Sequence, residues 1–293
     1  MVDKKVTIFT PTYNRAYILG RLYDSLKRQT CDDFIWIIVD DGSDDNTEEL
    51  VRHWIDEELV SIYYYKQKNG GKQRAHNKGV EHCDTELFLC IDSDDYIVDN
   101  CVEILLNRWM EVRENPKIAG IVAMKGYDDK TPLGTWIPEE ISYSSLDELY
   151  TKYKFKGDAA LAYRTSILKE YPYWVAEGEK FIGEGYVYQK IDQLYCLLVI
   201  PQIIAICEYL DDGYSANVRR LTKNNPVSYT ELKRQTICYS KTWRERYYHT
   251  ILCIAGCIMS GRKNPFGILP YKFLGVLAYI PAWMVWALFY KNA

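Results

Sequence analysis

The feature that most constrains the fold is a set of three short apolar segments, each of which ends abruptly in polar residues. The segments span residues 6–10, 34–39 and 87–91, and helix-like sequence follows the first two. Apolar runs of this length without polar alternation are typical of strands buried on both faces of a parallel sheet. Strands that alternate with helices predict an α/β fold with a mainly parallel, doubly wound sheet.

Three carboxylates, Asp92, Asp94 and Asp95, follow the third apolar segment directly. Adjacent carboxylates repel one another, so this cluster indicates a bound divalent cation, although an Asp-rich turn that caps the next helix is the other interpretation. Hard oxygen ligands suit Mg²⁺ or Mn²⁺, and Mg²⁺ is usually held by one or two carboxylates together with substrate phosphates. In open α/β sheets ligands bind outside the carboxyl ends of the strands, so three polar clusters at one edge favour a single site.

Composition limits the class of protein further. A chain of 293 residues with 48% apolar content has room for one large domain, or for one domain with an appendage. The nine cysteines show no Cys-x-x-Cys spacing, and the N-terminal residues carry charges rather than a signal peptide. We therefore expect reduced thiols in a cytoplasmic protein.

Further elements are expected along the chain. Strands are predicted at 60–65, 118–124, 159–164 and 203–209, and helices at 16–28, 44–54, 75–81, 102–112, 165–169 and from about 185 to about 198. The segment 228–258 predicts one long helix. Residues 273–290 contain no formal charge, and Pro281 is expected to interrupt that segment.

Four motifs give the chain a family resemblance. In order and spacing they are similar to the motifs of family 2 glycosyltransferases of the GT-A fold, strongly over residues 4–125 and more weakly to 218. The motifs are VTIFTPTYNR at 6–15, VDDGS at 39–43, GGKQRAHNKG at 70–79 and DSDD at 92–95. The resemblance implies an inverting transfer from a nucleotide-diphosphate sugar, usually a uridine one, with Mn²⁺ or Mg²⁺.

The resemblance also implies a set of site residues. Pro11 and Tyr13 are expected to frame the base, and Asp41, or Asp40 beside it, to bind the pyrimidine edge. The predicted metal ligands are Asp94 and Asp95. The predicted donor-binding residues are Pro11, Tyr13, Arg15, Asp40, Asp41, Lys72, Arg74, Asn77, Asp92 and Ser93. For Asn77, helix packing is an equal alternative to a direct contact.

An inverting transfer needs a general base within hydrogen-bond reach of the acceptor hydroxyl. The resemblance places an acid at the start of a helix well after the metal motif, often as a Glu-Asp pair, and here that position reads Glu184-Gly185. Glu184 is therefore the predicted base, and Asp192 is the second choice. An acid that complements the helix dipole is the alternative interpretation of Glu184.

The C-terminal part differs in charge from the rest of the chain. Residues 215–293 carry twelve Lys or Arg and two Glu, a formal charge of +10, which leaves −14 for residues 1–214. Cationic and aromatic side chains together favour an anionic membrane surface, and no nucleic-acid recognition motif is present. The segment 273–290 fits an interfacial helix, a packed helix or a membrane span.

These inferences combine into one functional hypothesis. Residues 1–218 are predicted to form a catalytic domain, with a nucleotide-binding half at 1–125 and an acceptor half at 126–218, and 219–293 a helical membrane-associating extension. The enzyme is expected at the inner face of the plasma membrane, moving sugar from a UDP-linked donor to a glycan or lipid-linked acceptor. The alternatives are a non-catalytic donor-binding partner subunit, and a sugar-phosphate nucleotidyltransferase. The latter needs a Gly-rich loop after the first strand, and residues 11–15 contain no Gly.

Overall fold

The computed structural model describes residues 4–207 and 217–291. The chain divides into two compact units. The first comprises Met1–Pro172 with Lys190–Glu208, and the second comprises Tyr173–Gln189 with Tyr209–Ala293. The segment Tyr173–Gln189 therefore groups with the C-terminal helices, whereas a single boundary after residue 218 was expected. The predicted functional domains themselves stay a prediction.

A mixed β-sheet forms the centre of the first unit. Within the described residues its strands are β1 (Val6–Thr12), β2 (Phe34–Asp40), β3 (Ile62–Lys66), β4 (Leu87–Cys90), β5 (Tyr96–Ile97), β6 (Ile118–Gly126), β7 (Tyr143–Ser144), β8 (Ala159–Arg164) and β9 (Cys196–Ile206). The strand order is β3-β2-β1-β4-β8-β6-β9-β5, and β7 pairs with β9.

The first four strands of this order form the parallel part of the sheet. β1 runs parallel to both β2 and β4, and β2 runs parallel to β3. Every residue of β1 is buried, as expected for a strand that is covered on both faces. The predicted strands at 6–10, 34–39, 60–65 and 87–91 are thus confirmed, with small differences at their ends.

The other part of the sheet is mixed. β8 runs antiparallel to β4 and β6, and β9 runs parallel to β6 but antiparallel to β5. The prediction of a helix to about 198 is wrong, because β9 already begins at Cys196. Residues 197–200 form a fully buried apolar run, and periodicity alone does not separate a buried strand from a buried helix. The predicted strand end at 209 lies outside the described residues.

Helices cover this sheet. They are α1 (Ala16–Lys27), α2 (Thr47–Glu57), α3 (Lys72–Glu81), α4 (Cys101–Met110), α5 (Leu146–Thr151) and α6 (Thr165–Glu170). α2 begins three residues later than predicted, because the Asp45 carboxylate accepts the backbone N–H of Thr47 at 3.1 Å in a turn before the helix. α3 packs closely against β1. At Gly79 of α3, an added Cβ atom would lie only 2.4 Å from the ring of Phe9.

The remaining helices are α7 (Gly185–Ile191), α8 (Val218–Asn224), α9 (Pro226–Tyr239), α10 (Trp243–Met259) and α11 (Lys272–Phe289), with a 3₁₀ turn at Pro265–Ile268. The prediction of one long helix from 228 to 258 is wrong. A capping box interrupts it, in which Thr242 Oγ1 accepts from the Glu245 N–H and the Glu245 carboxylate accepts from the Thr242 N–H, both at 3.2 Å. The expected interruption at Pro281 is also wrong, because α11 continues through it.

Candidate active site

The carboxyl ends of β1, β2 and β4 lie at one edge of the sheet. Phe9 is in register with Cys90, and Thr12 is in register with Asp40. The turn 92–95 follows β4 at this edge, and Asp40 ends β2 there, followed by residues 41–43. The structure therefore brings together the three polar clusters that the sequence placed after separate strands.

Asp92 pairs with Lys72 at the N-terminus of α3. The Lys72 ammonium lies 2.7 Å and 2.9 Å from the two carboxylate oxygens of Asp92. Burial acts to raise the pKa of Asp92, but Lys72, Lys125 and Arg15 lower it below its usual value. Asp92 is accordingly an anion that already has a cationic partner.

Asp95 pairs with a lysine on a different strand. The Lys125 ammonium, on β6, lies 2.9 Å from Asp95 Oδ2, and the two side chains are only 14% and 7% exposed. Burial alone would lower the pKa of Lys125, but Asp95, Cys207 and Asp92 hold it well above its usual value. Burial and the charge of Asp92 raise the pKa of Asp95, and Lys125 opposes them. This buried pair holds the turn after β4 against β6.

Asp94 differs from its two neighbours. Among the described residues no lysine or arginine forms an ion pair with it. Burial raises the pKa of Asp94 above its usual range, and the charges of Asp92 and Asp95 raise it further. Of the two predicted metal ligands, Asp94 is therefore the one without an ion-pair partner in the described part of the chain, although the charge of Arg15 partly opposes the rise of its pKa.

The donor set at this turn decides which metal site is possible. In the part of the chain that the structure describes, no group of three or more His, Cys, Asp or Glu side chains is placed to hold a metal ion. A complete protein cage is therefore absent from those residues. One carboxylate without an ion pair among those residues still fits Mg²⁺ or Mn²⁺ that is held mainly by substrate phosphates and water.

Asp40 and Asp41 have different surroundings. Asp40 is fully buried, and its oxygens accept from the Ser43 N–H at 2.7 Å and from the Tyr64 hydroxyl at 2.5 Å. The Asp41 carboxylate accepts from the Gln67 amide and from the backbone N–H of Gly70 and Gly71, at 2.7–2.8 Å. Asp40 thus stabilises the end of β2, whereas Asp41 shapes the glycine loop before α3.

The end of β1 and the residues that follow it also lie at this edge of the sheet. Pro11 has no backbone N–H, but this breaks no hydrogen bond of the sheet. The backbone groups of odd-numbered residues in β1 point toward β4, and β4 ends at Cys90, before it reaches Pro11. Tyr13 is 46% exposed. Arg15 precedes α1 and donates to the Tyr17 hydroxyl. Tyr13 and Arg15 are therefore at the surface of the site, whereas Pro11 is buried in the sheet.

The other predicted donor-binding residues lie on α3 and in the turn after β4. Arg74 Nη1 donates to the carbonyl of Gly70 at 2.8 Å, which braces the glycine loop. Asn77 lies on α3 and is partly buried, and Ser93 is buried in the turn. These side chains lie on the elements that carry Lys72 and Asp92.

Glu184, the predicted base, is exposed and belongs to the second unit. Its carbonyl accepts the N–H of Val187 at 3.2 Å, which places it at the start of α7 as predicted. The carboxylate of Asp192 accepts from the N–H groups of Leu146 and Asp147 at 3.1 Å and 2.8 Å. Asp192 therefore caps α5, and its role as the second choice for the base stays a prediction.

Sequence reasoning missed two residues that shape this site. Lys125 lies near the end of β6, an apolar strand in which it is the one charged residue. A single charge in such a strand could have indicated a buried partner. Gln67, which donates to Asp41 at 2.8 Å, had no comparable signal because polar residues are common after an exposed strand. Lys125 and Gln67 contact Asp95 and Asp41, two carboxylates that the sequence predicted to bind metal or donor.

Comparison with known proteins gives the family context. The sequence profile "Glycosyl transferase family 2" matches residues 7–171, more than half of the chain. The protein is similar to the glycosyltransferase GlyA of Streptococcus pneumoniae serotype 4, with 25% identity over 202 residues, which are 65% of this chain and 28% of GlyA.

A second relative is the poly(ribitol-phosphate) β-N-acetylglucosaminyltransferase TarS of Staphylococcus aureus (strain Mu50). It is 25% identical over 171 residues, 57% of this chain and 28% of TarS. The chain thus spans less than a third of the length of these two relatives.

Solved structures show the same fold. The crystal structure of S. aureus TarS 1–349 in complex with UDP-GlcNAc has a TM-score of 0.62 at 17% identity, covering 95% of this chain and 81% of that one. The mannosyltransferase PcManGT of Pyrobaculum calidifontis, in complex with GDP-Man and Mn²⁺, has a TM-score of 0.55 at 16% identity, covering 97% and 87%. These similarities confirm the predicted GT-A fold class.

Proposed function

The chain belongs to glycosyltransferase family 2, and from that premise we propose that it is a metal-dependent, inverting glycosyltransferase. The donor is a nucleotide-diphosphate sugar, with uridine as the nucleoside. The acceptor is a hydroxyl of a glycan or of a lipid-linked glycan in cell-surface polysaccharide synthesis. Two relatives support this choice, because TarS binds UDP-GlcNAc and acts on poly(ribitol-phosphate), and GlyA is named a glycosyltransferase.

One observation carries the proposal: the distribution of charge in the turn after β4. Two of its three carboxylates have a lysine partner at less than 3 Å, namely Asp92 with Lys72 and Asp95 with Lys125. Asp94 lies between them and forms no ion pair among residues 4–207 and 217–291. A turn built only to cap a helix has no need for a partly buried carboxylate without an ion-pair partner, because such a group costs stability.

The donor site follows from the same sheet edge. A carboxylate offers about four acceptor positions, and the structure uses three on Asp41, so one remains for an N–H of the base. Asp40 is fully buried and already bonded at both oxygens, so we assign the base contact to Asp41. The exposed ring of Tyr13 suits the face of the base.

Lys72 and Arg15 are the cations near the aspartate turn that suit the diphosphate. Lys72 contacts Asp92 directly, and the charge of Arg15 acts on both Asp92 and Asp94. Asp94 would hold Mn²⁺ or Mg²⁺, which offsets the negative charge that develops on the leaving diphosphate. Lys125 keeps Asp95 engaged, so that Asp95 acts as a counter-ion rather than as a second ligand.

The transfer itself is a single displacement. The acceptor oxygen forms a bond to the anomeric carbon, the bond from that carbon to the diphosphate oxygen breaks, and the nucleoside diphosphate leaves. Glu184 takes the proton of the acceptor hydroxyl. Glu184 is exposed at the start of α7, so an acceptor hydroxyl can reach its carboxylate from solvent.

Release of UDP from a panel of UDP-sugars, with candidate acceptors and Mn²⁺, tests this proposal. Asp94→Asn should lower turnover by at least about 100-fold, since the metal supplies several kcal/mol of stabilisation. Glu184→Gln should lower transfer by about 100- to 10,000-fold, as expected for the loss of a general base. Asp24→Asn and Glu177→Gln are matched controls, because both side chains are exposed and neither is a predicted site residue.

Wild-type protein that binds UDP but neither hydrolyses nor transfers sugar from any donor of the panel would contradict the enzymatic proposal. That result would favour a donor-binding partner subunit instead. Normal transfer by Glu184→Gln would place the base elsewhere.

A further inference from the structure

The last helix carries a continuous row of exposed apolar side chains. Six of them are each more than half exposed and lie at intervals of three or four residues apart from one adjacent pair: Phe273, Val276, Leu277, Ile280, Met284 and Leu288. Residues three and four apart share one face of a helix, so these six form a single band, called the α11 stripe below. A contiguous apolar surface of this kind marks a place where a protein meets another protein or a membrane.

The opposite face of α11 is already used for packing. The buried residues of this face are Leu274, Gly275, Ala278 and Ala282. The two alanines share a core with Ile254 of α10. A Cβ atom at Gly275 would lie 2.5 Å from Leu269, which shows how closely the helix is seated. The second unit therefore holds α11 through a narrow face, and the α11 stripe is not part of its core.

The charged residues in the segment that carries the α11 stripe are all basic. Lys272 and Lys291 lie at its two ends, and both are exposed. Residues 246–293 contain five Lys or Arg and no Asp or Glu. Trp283 is 43% exposed next to the α11 stripe. Apolar side chains flanked by cations and aromatic rings match the acyl chains and anionic headgroups of a lipid surface.

We propose that this face of the second unit docks on an anionic lipid surface, with the α11 stripe between headgroups and acyl chains. Lys272 and Lys291 then lie at the level of the headgroups. A second copy of the chain fits less well, because joining two such faces would bring their like-charged ends together with no acid in 246–293 to pair them. The proposal does not depend on the activity proposed above.

Length and composition would also allow α11 to cross a membrane. Its 18 residues measure about 27 Å, just short of a hydrocarbon core of about 30 Å. Contacts at the N-terminal end of α11 argue against a span. Trp243 of α10 packs on Phe273, and the Tyr247 hydroxyl donates to the carbonyl of Leu277 at 3.3 Å.

Contacts at the C-terminal end complete this argument. Arg219 lies over the ring of Phe289, and the Lys223 ammonium donates to the carbonyl of Lys291 at 3.2 Å. Both ends of α11 are thus attached to charged helices of the same unit. A crossing helix would draw these helices into the hydrocarbon, which is costly for charged side chains. A helix that lies in the plane of the surface avoids this cost.

Vesicle binding of the purified full chain, without donor or acceptor, tests the proposal. We expect sedimentation with vesicles of phosphatidylcholine and phosphatidylglycerol, much less with phosphatidylcholine alone, and weaker binding at high salt. The double variant Leu277→Glu/Ile280→Glu should reduce the bound fraction by about tenfold or more, because two exposed contacts become charged. Both side chains are exposed, so the circular dichroism spectrum and thermal midpoint should stay unchanged.

The matched control is Leu59→Glu/Leu194→Glu. These leucines are each 65% exposed in the first unit, and the substitutions add the same charge while leaving the α11 stripe intact. The control should bind vesicles like wild type. Equal binding by Leu277→Glu/Ile280→Glu would overturn the proposal. So would resistance to alkaline carbonate extraction, which indicates a span, or a dimer that this variant dissociates without any vesicle binding.

Discussion

Replacement of Lys125 by methionine should destabilise the first unit strongly, because it leaves a buried carboxylate without its cation. The ammonium lies 2.9 Å from Asp95 Oδ2, and both side chains are at most 14% exposed. At an effective dielectric constant of about 20, Coulomb attraction at this distance is on the order of 5 kcal/mol. Loss of one partner of a buried pair typically costs about 3–5 kcal/mol. Uptake of a proton by Asp95 limits the loss, so we expect about 3 kcal/mol.

Urea unfolding at neutral pH, followed by tryptophan fluorescence, measures this effect. For a slope of about 2 kcal/mol/M, the midpoint of the sheet-containing unit should fall by about 1–2 M. The double variant Lys125→Met/Asp95→Asn should recover at least about 1 kcal/mol, since the unpaired charge is then gone. A loss below about 1 kcal/mol in Lys125→Met, or no recovery in the double variant, would refute the view that Asp95 is held by a buried ion pair.

Three further perturbations test other parts of the structure. Burial and the nearby Lys233 lower the pKa of His249 from 6.5 to about 4. Between these two pH values the unfolded chain therefore binds more protons than the folded protein does. The free energy of unfolding of the second unit should reach its full value above about pH 6.5 and fall by on the order of 1–2 kcal/mol toward pH 4. In His249→Gln it should fall less steeply. Urea unfolding at several pH values measures both. Gly79→Ala should lower the free energy of unfolding by about 1–3 kcal/mol, because its Cβ atom would meet Phe9, and thermal unfolding measures this. Thr242→Ala should cost about 0.5–2 kcal/mol by removing the capping box of α10, and denaturant unfolding followed by circular dichroism reports it.

The histidine and glycine variants each have a control. His53→Gln changes a 69% exposed histidine of the first unit, so the pH dependence of the second unit should remain that of wild type. Gly185→Ala places a Cβ atom 3.6 Å from the nearest atom outside its own chain neighbours, so it should be far milder than Gly79→Ala. A pH-independent second unit, or equal stability losses in the two glycine variants, would contradict the corresponding argument.

The sequence predicted the parallel part of the sheet because each of its strands is an uninterrupted apolar run followed by a break. It did not predict where β9 begins, since the buried residues 197–200 satisfy helix and strand equally well. The break between α9 and α10 was readable from Thr242 and Glu245, which have the spacing of a capping box. The apolar stripe across that region concealed it.

The candidate site shows the same division. Sequence order placed Asp40, Asp41, Asp92 and Asp94 at one sheet edge, because parallel strands bring their carboxyl ends together. It did not reveal which carboxylates already have partners. Lys125 lies 30 residues from Asp95 along the chain, and only the pairing of the sheet brings the two together. The exposed face of α11 likewise depends on packing against α10, which composition does not determine.

The most direct test of the central claim is calorimetric titration of the protein with UDP, in Mn²⁺ and then in EDTA. If Asp94 holds the metal at the donor site, wild type should bind UDP in Mn²⁺ and bind far more weakly in EDTA. Asp94→Asn should bind weakly in both, whereas Asp24→Asn should match wild type. UDP binding that is unchanged by EDTA and by Asp94→Asn would contradict the metal-dependent donor site, as would the absence of any UDP binding.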